Sequence, residues 1–359
     1  MKPGPKHGGN VYAAARASGR RVRDLIDFSA SINPLGPSPA ALRAVRAAGS
    51  TIIHYPDPDC VELRKRLARR HSLHPEEFLV GNGSTELIHL LPRVLRIRRA
   101  VIVGPAFSEY AKAVKAYGGL VFSIHAKRSD GYRPPLDEVL AAVASSRADS
   151  IFLCNPNSPT GQGIRRKELE ALLRATARRG VWVILDETFI EYCADRAVPA
   201  WVRRCPRLVV LRSFTKFYAL PGLRVGYLVA REPVIGRLKK ELPPWSVNAL
   251  AQAGALAALK DRHHARRSLG FMNRERLRFA KSLAAIPGVT VFPSVANFLL
   301  VELPRGCPGS AVTRTIRRRG LLIRDCSTVP GLSRRTIRVA VRLSGENDRL
   351  VRALRALIG

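Results

Sequence analysis

The chain has 359 residues, of which 46% are hydrophobic and 25% are charged, so it can bury the cores of about two domains without disulfides or metals. Its cysteines have no CxxC spacing, which argues against a zinc knuckle or redox dithiol, and no metal site is expected. No segment reaches the length of a membrane span, and the start MKPGPKHGGN has no apolar leader, so we expect a cytoplasmic protein with no membrane partner. The cysteines are Cys60, Cys154, Cys193, Cys205, Cys307 and Cys326.

The formal net charge of +34 raises the alternative of a nucleic-acid-binding protein. The basic residues recur at helical intervals, as in RKELEALLRATARR, and no nucleic-acid-binding module is recognisable. We therefore expect solvated helix faces, weak nonspecific adhesion to polyanions and no specific nucleic-acid partner. A positive field also favours the capture of anionic small molecules.

The order of predicted elements indicates an α/β protein with two domains. Residues 1–35 are predicted to form an N-terminal arm. Residues 36–245 alternate amphipathic helices with short apolar runs and predict a large domain with a mixed, mostly parallel sheet. Residues 246–359 predict a smaller α+β domain, against which the arm packs. The predicted strands of the large domain are FLVG, AVIVG, LVFSI, SIFLC, VWVIL, LVVL and VGYLVA.

The first of these strands runs into a helix through the sequence GNGSTE. The amides of Gly83, Ser84 and Thr85 would lie at a helix N-terminus, where unpaired N–H groups and the helix dipole favour an anion. The segment therefore predicts a phosphate cradle, although a Gly-Asn-Gly turn is also common in ordinary loops.

Two later strands end in polar residues. SIFLC is followed by NPNSPTG, whose Asn157 can donate an amide hydrogen bond, with an ordinary Pro/Asn turn as the alternative. VWVILDE places Asp186 at the end of an apolar run, where a carboxylate needs a partner. A helix N-cap is the alternative role for this residue.

The run LVVLRSFTKFYALPGLRVGY supplies the reactive group. Lys216 follows a buried strand, and a desolvated lysine can form a Schiff base with an aldehyde. Ser213, Thr215 and Arg224 offer the donors and charge that a phosphate ester requires. A solvated Thr-Lys pair is the alternative. Together these strand ends predict pyridoxal 5'-phosphate, with Asp186 keeping its ring nitrogen protonated and Asn157 bonding its ring hydroxyl.

The predicted small domain contains two arginines in otherwise apolar strands. Arg324 ends GLLIRD and Arg338 lies within TIRVAVR, and an arginine in such a place usually meets an anion. A structural ion pair with Asp325 or Glu302 is the alternative.

Nearly the whole chain resembles fold type I pyridoxal-phosphate enzymes of the aminotransferase class I and II superfamily. The segments HGGN, DFSASINPLGPS, HYPDPD, GPAFSEY and PPWSVNALA resemble, within it, threonine-phosphate decarboxylases of cobalamin biosynthesis. The resemblance implies a homodimer and a Phe107 ring stacked on the cofactor. It also implies that Arg324 and Arg338 bind the substrate carboxylate and phosphate, and that Tyr55 reaches a phosphate across the dimer interface. The remaining substrate contacts implied are His7, Gly8, Asn33 and Asn157.

Histidinol-phosphate aminotransferase is the alternative within the same fold. The HGGN segment and Phe189, where most aminotransferases have tyrosine, favour the decarboxylase. The NGSTE loop departs from the usual NGETE or NGSDE but keeps a hydroxyl near the phosphate. The resemblance implies decarboxylation of O-phospho-L-threonine to (R)-1-aminopropan-2-yl phosphate. The orientation of the substrate decides between decarboxylation and transamination, and the sequence leaves this open.

Overall fold

The structure is a computed structural model and describes residues 8–359. The helices are α1 (Val11–Ser18), α2 (Pro39–Ala47), α3 (Val61–His71), α4 (Ser84–Val94), α5 (Ser108–Ala116), α6 (Leu136–Ser146), α7 (Arg166–Arg178), α8 (Glu232–Lys240), α9 (Ala249–Lys260), α10 (Arg262–Ala284), α11 (Gly309–Arg318) and α12 (Ser344–Ile358). The strands are β1 (Ile26–Asp27), β2 (Phe78–Gly81), β3 (Arg99–Gly104), β4 (Leu120–His125), β5 (Ser150–Cys154), β6 (Trp182–Asp186), β7 (Leu208–Ser213), β8 (Gly226–Val229), β9 (Thr290–Val291), β10 (Phe298–Glu302), β11 (Leu321–Leu322), β12 (Arg324–Asp325) and β13 (Thr336–Ala340). In this part of the chain no helix is long and apolar enough to cross a membrane.

A seven-stranded sheet forms the centre of the molecule, with the order β2-β8-β7-β6-β5-β3-β4. Its strands are parallel except for β8, which pairs antiparallel with β2 and β7. Every strand predicted for the large domain is present, so the predicted α/β class and mostly parallel sheet are confirmed. The carboxyl ends of β6 and β7 lie side by side, where parallel sheets open onto ligand crevices.

Apart from the edge strand β4, the sheet is buried on both faces, which explains its continuous apolar runs. On β5, Ile151 and Leu153 belong to the core on one face, while Phe152 and Cys154 belong to the core on the other. Helices α4, α5 and α8 contribute to the second core. The alternation of side chains along each strand therefore supplies both cores from the same short segments.

A second sheet has the order β12-β13-β10-β9 and is antiparallel throughout. The arm strand β1 pairs in parallel with β11, which directly precedes β12 in the chain. Helix α9 lies C-terminal to residue 245 but packs against α2 and α3. The domain boundaries at residues 35 and 245 remain a prediction.

A buried ion-pair triad lies beside the end of β6. Arg212, on β7, contacts Glu187 at 2.6 Å and Glu191 at 3.4 Å. Burial raises the pKa of both glutamates, and the guanidinium opposes that shift. Glu187 also accepts the N–H of Val198 at 3.0 Å, so the triad fixes the segment that follows Asp186.

Replacing Arg212 with leucine is expected to lower the free energy of unfolding by about 3–5 kcal/mol, because two buried carboxylates lose their cation. Chemical denaturation followed by circular dichroism measures this change. The matched control is Arg166→Leu, whose partner Glu170 is four residues along the surface of α7. That exposed pair is worth less than about 1 kcal/mol. Equal losses of unfolding free energy in Arg212→Leu and Arg166→Leu would contradict the assignment of Arg212 as the cation that pairs with the two buried carboxylates.

Candidate active site

The candidate site is built at the carboxyl ends of β6 and β7 and the N-terminus of α4. Asp186 is the last residue of β6, and Lys216 lies three residues beyond the end of β7. Gly83 is the residue before the first turn of α4. The sheet order thus brings together segments that are far apart in the chain.

The phosphate cradle predicted from the sequence has its expected elements. Gly83 has φ 81°, and a Cβ at that position would overlap the guanidinium of Arg224. Ser84 and Thr85 form the start of α4, and a Cβ on Gly226 would lie only 2.6 Å from the amide nitrogen of Ser84. These close approaches place a guanidinium beside a helix N-terminus, which is an arrangement suited to a phosphate.

The hydroxyl residues before the lysine lie in the adjacent turn. Ser213 is buried, and its Oγ accepts the N–H of Thr215 at 3.1 Å. Arg224 has a left-handed backbone with φ 55°, and its Nη1 donates to the carbonyl of Pro221 at 3.2 Å. The turn after β7 therefore presents two hydroxyls and one guanidinium near Lys216.

Lys216 is a half-buried amine in a positive environment. Burial, together with Arg338 and Arg224, lowers the pKa of Lys216 to about 8. Its Nζ lies 5.8 Å from the centre of the Phe189 ring. A lysine with this pKa is about half neutral at pH 8 and can attack an aldehyde there.

The rate at which the cofactor-free protein captures pyridoxal phosphate is expected to rise with pH through a midpoint of about 8. The neutral amine is the nucleophile, and a solvated lysine would instead have its midpoint near 10.4. Arg338→Gln removes a neighbouring positive charge, so it should move the midpoint to higher pH. Stopped-flow absorbance measures this rate, with Arg352→Gln on the exposed face of α12 as the control. A midpoint that stays unchanged in Arg338→Gln would contradict this electrostatic account.

Asp186 is buried and has donors on both carboxylate oxygens. Its Oδ2 accepts the hydroxyl of Tyr110 at 2.6 Å, and its Oδ1 accepts the N–H and hydroxyl of Thr188 at 2.9 and 2.5 Å. The hydrogen bond from the Thr188 N–H is of the kind that a helix N-cap makes, which was the alternative role for Asp186. The same bond also holds the Asp186 carboxylate at the end of β6. Sequence reasoning missed Tyr110. Its position one helical turn after Phe107 was the available signal, and the two rings meet edge to face at 5.8 Å.

The side-chain amides of Asn157 and Asn33, which the sequence places at the site, donate hydrogen bonds to groups of the protein. The amide nitrogen of Asn157 donates to the carbonyl of Pro105 and the hydroxyl of Thr160, both at 2.9 Å. Asn157 can therefore donate to a cofactor oxygen only if one of these two hydrogen bonds breaks. Asn33 donates its amide to the carbonyl of Phe217 at 2.9 Å.

Asn33 also donates its backbone N–H to the carbonyl of Lys216 at 3.0 Å. Its side-chain amide has a further bond to the hydroxyl of Ser268 at 2.8 Å. These contacts of Asn33 hold the backbone that directly follows the Lys216 side chain. The substrate contact that the sequence resemblance implied for Asn33 remains a prediction.

Arg324 and Arg338 are directly opposite each other on adjacent antiparallel strands. Like charges in this position repel, so an anion between them is favoured. Arg338 donates to the hydroxyl of Ser158 at 3.0 Å and the carbonyl of Ser29 at 2.8 Å, and its Nε is buried without a partner. Burial and the charge of Arg324 lower the pKa of Arg338.

The carboxylates considered as structural partners of Arg338 have other contacts. Glu302 binds Arg128 at 2.5 Å and Arg335 at 2.7 Å. Asp325 accepts the N–H of Ser327 at 2.9 Å. The guanidinium of Arg338 therefore donates to neutral groups, which is consistent with a place for a substrate anion.

An aromatic pair connects the lysine region with the arginine region. Phe189 packs edge to face against Phe298 at 5.0 Å, and Phe298 lies 5.2 Å below the guanidinium of Arg338. Lys216 faces the other ring of the pair. Lys216 and Arg338 thus lie on either side of this pair of packed rings, so one small substrate can contact both.

The other predicted substrate residues lie in different surroundings. Tyr55 is 79% exposed and stacks on Trp245 at 4.6 Å, at the protein surface. The backbone of Gly8 packs against Ser29, next to Arg338. His7 lies outside the described residues.

The residues at the site fit pyridoxal phosphate. The close approach of Gly83 to Arg224 matches the phosphate, Lys216 matches the aldehyde, and the buried carboxylate of Asp186 matches a protonated ring nitrogen. Phe107 borders the same region through its contact with Tyr110.

Comparisons with known proteins agree with this geometry. The profile of the aminotransferase class I and II family matches residues 23–357. A threonine-phosphate decarboxylase of Salmonella typhimurium is 38% identical over 98% of this chain and 96% of its own length, and a histidinol-phosphate aminotransferase of Roseiflexus castenholzii is 36% identical over 95% and 92%.

Solved structures give the same result. Histidinol-phosphate aminotransferase of Sinorhizobium meliloti in complex with pyridoxal-5'-phosphate has a TM-score of 0.88 at 25% identity, covering 100% of this chain and 98% of that one. L-threonine-O-3-phosphate decarboxylase of Porphyromonas gingivalis has a TM-score of 0.82 at 29% identity, covering 92% and 98%. This chain belongs to the aminotransferase class I and II family, with the fold type I architecture of that family.

Proposed function

We propose that this chain is a pyridoxal-phosphate-dependent decarboxylase that converts O-phospho-L-threonine to (R)-1-aminopropan-2-yl phosphate in cobalamin biosynthesis. The observation that carries the proposal is the pair of opposed arginines, Arg324 and Arg338, beside Lys216. A substrate with a carboxylate and a phosphate supplies one anion for each guanidinium. The identities of 38% and 35% to two proteins named as threonine-phosphate decarboxylases support the same reading.

The residues at the strand ends would hold the cofactor. Lys216 attaches its aldehyde carbon, Asp186 keeps a proton on its ring nitrogen, and Phe107 covers its ring. The phosphate would be held by the start of α4 and the turn after β7, through Gly83, Ser84, Thr85, Ser213, Thr215 and Arg224. Pyridoxal phosphate, when bound, withdraws the electrons of whichever substrate bond stands perpendicular to its ring.

The two arginines would decide which bond that is. If Arg324 and Arg338 hold the substrate so that the bond from the α-carbon to the carboxylate is the activated one, carbon dioxide would leave. The ammonium of Lys216, or a water molecule, then returns a proton to the α-carbon and yields the phosphorylated amine. If the arginines instead hold the carboxylate away from the activated bond, the neutral amine of Lys216 would remove the α-proton, which is the first step of transamination.

Histidinol-phosphate aminotransferase is the second candidate. It is favoured by the TM-score of 0.88 to the Sinorhizobium meliloti structure. Against it stands Phe189, buried beside Lys216, where most aminotransferases carry a tyrosine.

A product assay separates the two functions. Purified protein receives O-phospho-L-threonine and pyridoxal phosphate without any keto acid, and carbon dioxide and phosphorylated amine are followed together. Sustained release of both in equal amounts supports the decarboxylase, and Lys216→Ala is the inactive control. No release, together with glutamate formed from histidinol phosphate and 2-oxoglutarate, would identify the aminotransferase instead.

We also place this enzyme in the cytoplasm as a homodimer, in which Tyr55 completes the site of the partner subunit. The support is the exposed stacked pair of Tyr55 and Trp245, flanked by the exposed side chains of Ile52 and Ile53. Exposed apolar patches of this kind mark interaction surfaces.

Mixing two impaired variants tests the shared site. A hybrid of Lys216→Ala and Tyr55→Ala subunits contains one site with both native residues. Random subunit exchange should therefore recover up to about a quarter of the native activity, because half of the dimers are hybrids with one intact site. Activity that stays at the sum of the two separate variants would show that Tyr55 serves the site of its own subunit or none.

A further inference from the structure

The imidazole ring of His125 lies between two glycines of distant segments. His125 is the last residue of β4 and pairs with Gly104, the last residue of β3. A Cβ on Gly104 would lie 2.6 Å from Nδ1 of His125, and a Cβ on Gly331 would lie 2.9 Å from the same atom. The ring therefore occupies the space that a side chain at either glycine would need.

Packing, and not hydrogen bonding, holds this ring in place. Nδ1 of His125 is buried and has no hydrogen-bond partner within the part of the chain that the structure describes. Burial lowers the pKa of His125, so the ring is uncharged at neutral pH. The backbone of Gly104 is outside the left-handed region, so contact with the ring is the feature that excludes a side chain there.

Gly104 leads into the cofactor side of the site. The carbonyl of the next residue, Pro105, accepts the amide of Asn157 at 2.9 Å. Phe107, which directly precedes α5, follows two residues later. Strand β3 is held in the sheet between β4 and β5, so its end is a fixed point on this side of the site.

Gly331 belongs to the loop that joins the two arginine strands. It lies seven residues after Arg324 on β12 and seven residues before Arg338 on β13. The next residue, Leu332, packs against a small apolar cluster that contains Tyr132 from the segment after β4. The loop is thus seated on that segment, with the imidazole ring between the loop and the end of β3.

We propose that His125 is a positioning residue whose ring sets the distance between the end of β3 and the loop that joins β12 to β13. By supporting this loop, the ring fixes where Arg324 and Arg338 lie relative to the cofactor side of the site. The volume of the ring performs this role. The inference rests on the proposed function, because it assigns the two arginines to the substrate.

A double-mutant cycle on the holoenzyme tests the steric contact. Gly104→Ala is expected to lower the melting temperature by about 2–6 °C, because the added methyl group meets the ring. In the His125→Ala background the same methyl group has space, so Gly104→Ala should cost less than about half as much. Any effect of the added methyl group on the unfolded chain is equal in both backgrounds and cancels. Equal losses in both backgrounds would overturn the proposal.

Steady-state kinetics test the consequence for the substrate. His125→Ala is expected to raise KM for O-phospho-L-threonine about fivefold, the effect of weakening one hydrogen bond, and to leave the dissociation constant of pyridoxal phosphate within about twofold. His125→Gln has a similar volume and no titrating ring, so it should restore the native KM. A KM in His125→Gln as high as that in His125→Ala would overturn the proposal, because volume alone would then not suffice.

Two variants serve as matched controls. His263→Ala removes an exposed imidazole on α10. Gly49→Ala adds a methyl group at a position where no atom lies within 4 Å of the new Cβ. Both should keep the native KM and lose no thermal stability. Visible absorbance of the cofactor confirms that each variant is loaded.

Failure of this inference is distinguishable from failure of the proposed function, because the thermal cycle needs no substrate. If carbon dioxide is not released but Gly104→Ala costs less without the ring, the steric contact stands and the reaction assignment fails. If carbon dioxide is released but the costs are equal in both backgrounds, the reaction assignment stands and the positioning role of His125 fails.

Discussion

Replacing Lys216 with alanine is expected to abolish the visible absorbance of the covalently bound cofactor and to reduce turnover more than about 1000-fold. The amine lies at the end of β7 with a pKa lowered to about 8 by burial and by two arginines, so it is the group at this site suited to attack an aldehyde. It is also the group placed to return a proton to the substrate. Absorbance spectra and steady-state assays on the same preparation measure both losses.

The control for this variant is Lys260→Ala, at the exposed end of α9. It removes an amine of the same kind without touching the site and should keep native absorbance and rate. If Lys216→Ala still turns over substrate at a native rate, Lys216 is not the nucleophile.

Replacing Asp186 with asparagine is expected to lower kcat by about 100- to 1000-fold while the protein stays folded. Asparagine has the same shape but carries no charge, so the ring nitrogen loses the carboxylate that keeps it protonated. The Thr188 N–H can still donate to the amide oxygen, which preserves the local turn. Steady-state kinetics and the melting temperature separate the loss of charge from a loss of structure.

Tyr110→Phe is the companion variant, because it removes one donor to Asp186 and keeps the carboxylate. Its loss of rate should be much smaller, about tenfold or less. Equal losses in Asp186→Asn and Tyr110→Phe would show that the geometry of the hydrogen bond, and not the charge, is what matters.

The seven-stranded sheet was predictable because its strands, apart from the partly exposed edge strand β4, are apolar runs buried on both faces. Lys216, Asp186 and the start of α4 were predictable as well, since polar residues directly after such runs lie at the same edge of a parallel sheet. The local sequence is therefore sufficient to predict the strands and the polar residues that follow them.

Contacts between distant segments could not be predicted in the same way. The bond from Tyr110 to Asp186 joins residues 76 positions apart, and the amide of Asn33 reaches Phe217 across 184 positions. The direction of a side-chain amide or hydroxyl depends on how distant helices and strands pack together. The local sequence pattern does not show which of these elements are neighbours. For this reason the sequence predicted the neighbourhood of Asn33 but not the hydrogen bonds that Asn33 makes with Phe217 and Ser268.

The opposition of Arg324 and Arg338 has a practical consequence for the choice of buffer. Inorganic phosphate and sulfate have a charge and size close to those of a phosphate ester, so under the proposed function they are expected to compete with the substrate for Arg324 and Arg338. By mass action, a competing anion raises the apparent KM and also protects the folded protein against heat. Kinetic constants for this enzyme are therefore best measured in a zwitterionic buffer, and purification is best carried out in sulfate.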